Sequence, residues 1–166
     1  MGSERKGTVH WEGRGKEGKG RIGTESGALA DVSYGFATRF EDDKRGTNPE
    51  ELIAAAHASC FTMAFSFACD KAGFATESVD TTASVRLVSR DGGFAIDRIT
   101  LEMRASVPGL DEAKFQEIAQ GAKAGCPVSK ALAGVPDIRL TATLVQRGGE
   151  RLRSHVDRCG CRCQRA

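Results

Sequence analysis

Three short stretches of alternating character open the chain, Gly7 to Glu12, Lys19 to Thr24 and Val32 to Phe40, separated by Gly-rich segments. Period-two alternation between glycine turns predicts an antiparallel meander. In the third stretch, VSYGFATRF, Val32, Tyr34, Phe36, Thr38 and Phe40 would share one face, with Ser33, Gly35, Ala37 and Arg39 on the other. A charged loop, EDDKRGTN, follows, and then the pattern turns helical. Asn48 can cap, Pro49 suits the first helical position, Glu50 and Glu51 complement the positive end of the dipole, and Gly73 offers the stop. A helix from Pro49 to Ala72 would be about 36 Å long. No side chain between Leu52 and Cys69 is charged. An apolar surface all round is expected of a helix buried in a core or between subunits.

The second half begins with a hairpin pattern: Val79 to Ser89, a turn at Asp91-Gly92-Gly93, then Phe94 to Val107. Asp111 caps a second helix reaching about Ala124, with Phe115, Ile118 and Ala122 on one face. Gly125-Cys126-Pro127 interrupts, Pro127 to Ala133 reads as a short third helix, and Asp137 to Val145 as a last strand. The order βββ-α-ββ-αα-β is segregated rather than alternating, which predicts an α+β fold with a largely antiparallel sheet and a long buried central helix. That helix touches the lower length limit of a membrane span. His57, Ser59, Thr62 and Ser66 dilute it and no second span accompanies it, so a membrane role is not expected.

Net charge is +2 over 166 residues, and its position matters more than its size. From Arg147 onward six Arg face only Glu150 and Asp157, a net of +4 that leaves the preceding residues at −2. A slightly acidic body has no electrostatic footprint for nucleic acid or anionic lipid. Periodicity stops after Gln146, so residues 1–146 are expected to form one domain and residues 147–166 a basic tail. The tail's Cys159, Cys161 and Cys163, with His155 nearby, lack the spacing of an ordinary zinc site. The opening twenty residues carry no apolar signal region, so a cytoplasmic, reducing setting is expected. There, unpaired cysteines more often serve chemistry than structural bridges.

Cys69, deep in the apolar helix, reads as a small hydrophobe. Cys126 stands directly before Pro127, where a helix start favours thiolate. Cys60 lies in mid-helix with no free backbone donors, so a thiolate there would need a cation from elsewhere. Arg39 and Arg45 are the nearest candidates, and Glu50 or Glu51 could fix the guanidinium. Glu50 and Cys60 are ten residues apart, about 15 Å along one axis, so they cannot share an Arg within one copy of the helix. A dimer with shared sites is therefore expected. His57 could neighbour Cys60 one turn away as a Cys–His pair, although no orienting acid is evident.

Three segments, HWEGRGKEGKGRIGTESGAL, YGFATRFEDDKRGTNPEELIAAAHASCF and AGCPVS, resemble in order and spacing the OsmC branch of the OsmC/Ohr family over about residues 6–146. The resemblance implies a thiol-dependent peroxidase reducing organic hydroperoxides, built as an intertwined homodimer with its sites at the subunit interface. It implies Cys60 as the peroxidatic cysteine, Cys126 as the resolving one, Arg39 as the supporting cation and Glu50 as the carboxylate that holds it. It implies a small dithiol or a dihydrolipoyl-bearing protein as reductant rather than a bound cofactor, and no metal site is expected from the residues. Helix position alone favours Cys126 as the more acidic thiol, whereas the resemblance gives the first attack to Cys60. The rival reading is a domain that binds an apolar small molecule in a dimer groove without turnover.

Truncation after Gln146 is expected to leave the melting temperature and dithiol-dependent hydroperoxide consumption unchanged; a loss of either would make the tail part of the working domain.

Overall fold

The computed structural model describes residues 2–41 and 43–145, so the cysteines and His155 of the tail lie outside the described residues. Strands β1 (Gly7–Glu12), β2 (Lys19–Thr24) and β3 (Val32–Gly35) form an antiparallel meander, with a 3-10 turn at Gly15–Glu17 between the first two. The third strand ends five residues earlier than its alternation predicts. Phe36–Phe40 is instead a short helix, α1, started by Thr38, whose hydroxyl accepts from the Gly35 N–H at 2.9 Å. Phe36 and Phe40, four apart, stack at 4.8 Å on one side of that helix, as residues one turn apart do. Arg39 is therefore on a helix and not on a strand face.

Helix α2 (Pro49–Lys71) starts as predicted, with Asn48 Oδ1 accepting from the Glu51 N–H at 2.8 Å, and ends at Gly73, whose φ of +86° suits glycine. It does not bury its whole circumference. His57, Phe61, Phe65 and Cys69, spaced by four, form the one fully buried stripe. Met63 and Phe67 on another face remain 59% and 68% exposed. The helix is long and apolar enough to cross a membrane by length and composition, yet its polar groups are tied into the protein. Thr62 donates to Thr81, and Ser66 shares a hydrogen bond with Thr76.

Strands β4 (Ser78–Arg90) and β5 (Gly93–Ser106) form the long hairpin, turning through Asp91 and Gly92, both at positive φ as a two-residue hairpin loop requires. Helices α3 (Glu112–Gly125) and α4 (Pro127–Ala131) lead to β6 (Ile138–Leu144), which joins the edge of β5 in parallel. Two three-stranded sheets thus replace the single sheet expected, and the element order gains α1. The parallel pairing follows from the connection, because α3 and α4 carry the chain back across the sheet before β6 begins.

The core lies between α2 and α3 and the inner face of β4 and β5. Phe65 meets Phe115 edge-on at 5.5 Å, over Leu101 and Met103. The outer sheet face is polar. A bulge between Arg86 and Leu87 lets Asp97 take Arg86 in two 2.7 Å hydrogen bonds, which offsets the like charges of the cross-strand pair Arg86 and Arg98. The first sheet has no comparable core, since every residue of β1 is exposed.

Phe65→Ala is expected to cost about 3–5 kcal/mol, the usual penalty for emptying a buried aromatic site. The shift of the urea midpoint checks this, and a change below 1 kcal/mol would place the core elsewhere.

Candidate active site

Two clusters of chemistry-bearing side chains sit on α2, one at its first turn and one at its middle. The first is built by the junction of β3, α1 and α2. Thr47 N–H donates to the Ser33 carbonyl at 3.0 Å, and Asn48 Nδ2 donates to the Thr38 carbonyl at 3.1 Å. Gly46 permits this approach, since a Cβ there would run into the Ser33 carbonyl. With α1 clamped against the start of α2, Arg39 reaches Glu50. Its Nε donates to both carboxylate oxygens at 3.2 and 3.1 Å, and its Nη2 to Oε1 at 2.6 Å. The Glu50 side chain retains only 12% exposure and Arg39 35%. The hydrogen-bonded carboxylate raises the Arg39 pKa further, so the charge is fixed.

The alternatives are occupied elsewhere. Arg45 pairs with Asp43 on the exposed loop at 2.8 Å and holds that carboxyl at about 2. Glu51 accepts from the Thr47 hydroxyl at 2.8 Å. Of the two arginines and two glutamates legible in the sequence, the fold joins Arg39 to Glu50.

The second cluster centres on sulfur. Cys60, half-buried on α2, lies with its Sγ 3.1 Å from that of Cys126, which is fully buried. A disulfide needs about 2.05 Å, so these are free thiols that a movement of about 1 Å would join. Cys126 closes α3 through its N–H to the Ala122 carbonyl and caps α4, where its Sγ accepts from the Ser129 N–H at 3.5 Å.

The two sulfurs are not equivalent. Burial pushes the Cys60 thiol up, the Val128 N–H opposes it, and the contact with Cys126 raises it further. Burial also presses on Cys126, but the Ser129 and Val128 N–H groups and the hydrogen bond with Cys60 outweigh it and leave that thiol below its ordinary value. Within one chain the surroundings therefore favour a thiolate on Cys126 over one on Cys60. Arg39 is not among the groups that act on Cys60. Glu50, which holds it, stands about 15 Å from Cys60 along α2 by helix rise.

His57 does not bond Cys60. Its Nε2 lies 2.7 Å from Ser129 Oγ, and burial followed by the nearby Lys123 charge lowers its pKa, keeping the ring neutral. Ser129 is the residue that sequence reasoning missed, although it sits in the AGCPVS segment. Its contact with His57 spans 72 positions and leaves no local signal. Cys69 is fully buried with its thiol pushed up by burial, as expected of a packing residue. Among the described residues, no group of His, Cys, Asp and Glu is arranged to hold a metal ion.

A pair of free thiols in contact, one on a long helix packed on a mixed sheet and one where two further helices meet, defines an α+β protein equipped for thiol chemistry. Residues 41–141 match the model of the OsmC family, described as OsmC-like protein. The chain is 56% identical over 132 residues to the peroxiredoxin OsmC of Escherichia coli (strain K12), covering 80% of this chain and 92% of that protein. It is 31% identical over 122 residues to the organic hydroperoxide resistance protein OhrB of Bacillus subtilis (strain 168), covering 73% of this chain and 87% of that one. The crystal structure of OhrB from Bacillus subtilis superposes with a TM-score of 0.61 at 28% identity, over 84% of this chain and 98% of that chain. An OsmC-like protein from Mycoplasma pneumoniae shares the fold at a TM-score of 0.69 and 16% identity, over 87% and 99%. The chain belongs to the OsmC family.

Asn48→Ala removes a helix cap and the tie to Thr38 together. It is expected to lower stability by about 1 kcal/mol and to speed amide exchange across 36–40; unchanged exchange there would mean that Asn48 does not clamp α1.

Proposed function

We propose that this protein is a dithiol-dependent peroxidase that reduces organic hydroperoxides to alcohols. The observation that carries the reading is the 3.1 Å contact between Cys60 and Cys126, in a chain whose relatives are named peroxiredoxin and organic hydroperoxide resistance protein. The Cys60 thiolate attacks the distal oxygen of the hydroperoxide. The O–O bond breaks, the alkoxide takes a proton and leaves as alcohol, and Cys60 becomes a sulfenic acid. The Cys126 thiolate then attacks the Cys60 sulfur, an S–S bond forms, and hydroxide leaves as water. A small dithiol or a dihydrolipoyl-bearing protein, itself oxidised to a disulfide, restores both thiols. No bound cofactor enters the cycle, and residues 1–146 are the working domain.

The first step needs a charge on Cys60 that one chain does not provide. We infer an intertwined homodimer in which Arg39 of the partner subunit, held by Glu50, approaches Cys60. A guanidinium in contact with the sulfur in a dry cleft can draw the thiolate from Cys126 to Cys60 and stabilise charge on the leaving oxygen. Two observations support a second copy. Met63 and Phe67 leave an apolar face of α2 bare, and β1 is exposed on both faces; neither arrangement is stable in water without a cover. An apolar cleft between copies also favours alkyl hydroperoxides over hydrogen peroxide, by about 0.8 kcal/mol for each buried CH₂. A reducing cytoplasmic setting fits thiols kept ready for attack.

Cys60→Ser is expected to abolish dithiol-dependent consumption of cumene hydroperoxide, and Arg39→Ala to reduce it at least tenfold, as loss of one charge-stabilising donor does. When these two variants are unfolded together and refolded as an equal mixture, activity should rise above that of either alone to about a quarter of wild type, because half of the dimers then hold one complete site. Full turnover by Cys60→Ser would overturn the peroxidase assignment, and no recovery on mixing would overturn the shared site.

A further inference from the structure

Outside the steps just derived, one polar pair, a buried His57 and a half-buried Ser129, has no role assigned to it. His57 and Ser129 meet at 2.7 Å beside Cys126, and His57 is fully buried. Among the described residues its Nδ1 meets no partner, and this decides the tautomer. With the proton on Nδ1 the ring would bury an unpaired N–H, the rarer and costlier orphan; with the proton on Nε2 it buries only an unpaired acceptor. The ring is also neutral, since the imidazolium would strand the same N–H and stand near Lys123. Nε2–H therefore donates to Ser129 Oγ. A hydroxyl that has accepted this bond still has its own proton to give. Ser129 is the residue whose own N–H reaches Cys126 Sγ at 3.5 Å, which puts its hydroxyl beside that sulfur, and its side chain is among the groups that lower the Cys126 thiol.

We propose that His57 and Ser129 form a positioning relay for the resolving sulfur, in which His57 Nε2–H orients the Ser129 hydroxyl so that its proton points at Cys126 Sγ. The relay touches neither the hydroperoxide nor Cys60. It acts in the second step of the proposed cycle, where Cys126 must be a thiolate aimed at the Cys60 sulfenic sulfur, and to that extent it rests on the peroxidase reading. Its chemical consequence is protection. A sulfenic acid that waits for its partner meets a second hydroperoxide and passes to the irreversible sulfinic acid, so whatever aims Cys126 decides how much peroxide the protein survives. Of the titratable groups around it, Cys60 on α2 touches Cys126 directly, while His57 on α2 and Lys123 on α3 act at the far end of the relay.

Two measurements test the relay. In the first, reduced wild type, Ser129→Ala, Ser129→Thr, His57→Leu and His57→Gln are titrated with cumene hydroperoxide, and the Cys60–Cys126 disulfide and the Cys60 sulfinic acid are counted by mass spectrometry. Ser129→Ala and His57→Leu should raise the sulfinic-to-disulfide ratio about tenfold, the scale of one lost hydrogen bond to a charged group. Ser129→Thr and His57→Gln, which keep the hydroxyl and the donor, should restore the wild-type ratio. In the second, Cys126 alkylation by iodoacetamide is followed against pH in Cys60→Ser with and without Ser129→Ala; the midpoint should rise by about one pH unit when the hydroxyl is lost. An unchanged ratio in Ser129→Ala, failure of both conservative variants to rescue, or an unmoved alkylation midpoint overturns the relay. If wild type forms no disulfide with hydroperoxide, the peroxidase reading fails instead, and the alkylation midpoint still decides the relay.

Discussion

A sulfur in the middle of an α-helix has neighbours whose N–H groups are already engaged one turn away, so nothing local can carry its charge. Cys60 is in that position, eleven residues after the start of α2 at Pro49. Cys126 is in the opposite one, since it stands where α3 stops and α4 begins, and the first N–H groups of α4 converge on it. Within one chain, thiolate is favoured on Cys126 over Cys60. The junction of β3, α1 and α2 holds a guanidinium on Glu50, ten residues before Cys60 on the same helix and so about 15 Å away along its axis.

Helix boundaries were legible where a side chain caps its own element. Asn48 with Pro49 and Glu51, and Asp111 before α3, mark helix starts within three residues of sequence, and the hydrogen bonds are those the residue types offer. The long hairpin was legible for the same reason, through Asp91 and Gly92. The stretch Val32 to Phe40 was not, because its alternation continues past the point where the chain turns. The spacing of Phe36 and Phe40 and the hydroxyl of Thr38 are the local signs of α1, and both are weaker than a run of alternating residues. The all-apolar α2 pointed to a cover from its own chain or from another copy, but its composition does not say which of its faces its own chain leaves bare.

The site divides along the same line. Arg39, Glu50, Cys60 and Cys126 are individually visible as residue types in suitable contexts, and the fold brings them together as two pairs rather than one group. What joins His57 to Ser129 is a contact across 72 positions, set by the packing of α2 against α4. Such contacts depend on tertiary register alone, which explains why a motif containing Ser129 could be noticed while its partner could not.

The aromatic residues have a consequence of their own. The one tryptophan of the chain, Trp11, is on β1, where it covers Gly18 and lies 5.5 Å from Tyr34, also the one tyrosine. The hydrophobic core holds phenylalanine alone among aromatics. Near-ultraviolet emission from this molecule is therefore a local signal of the N-terminal meander and its surroundings, blind to the helical body, so fluorescence and far-ultraviolet dichroism watch two different parts of one polypeptide.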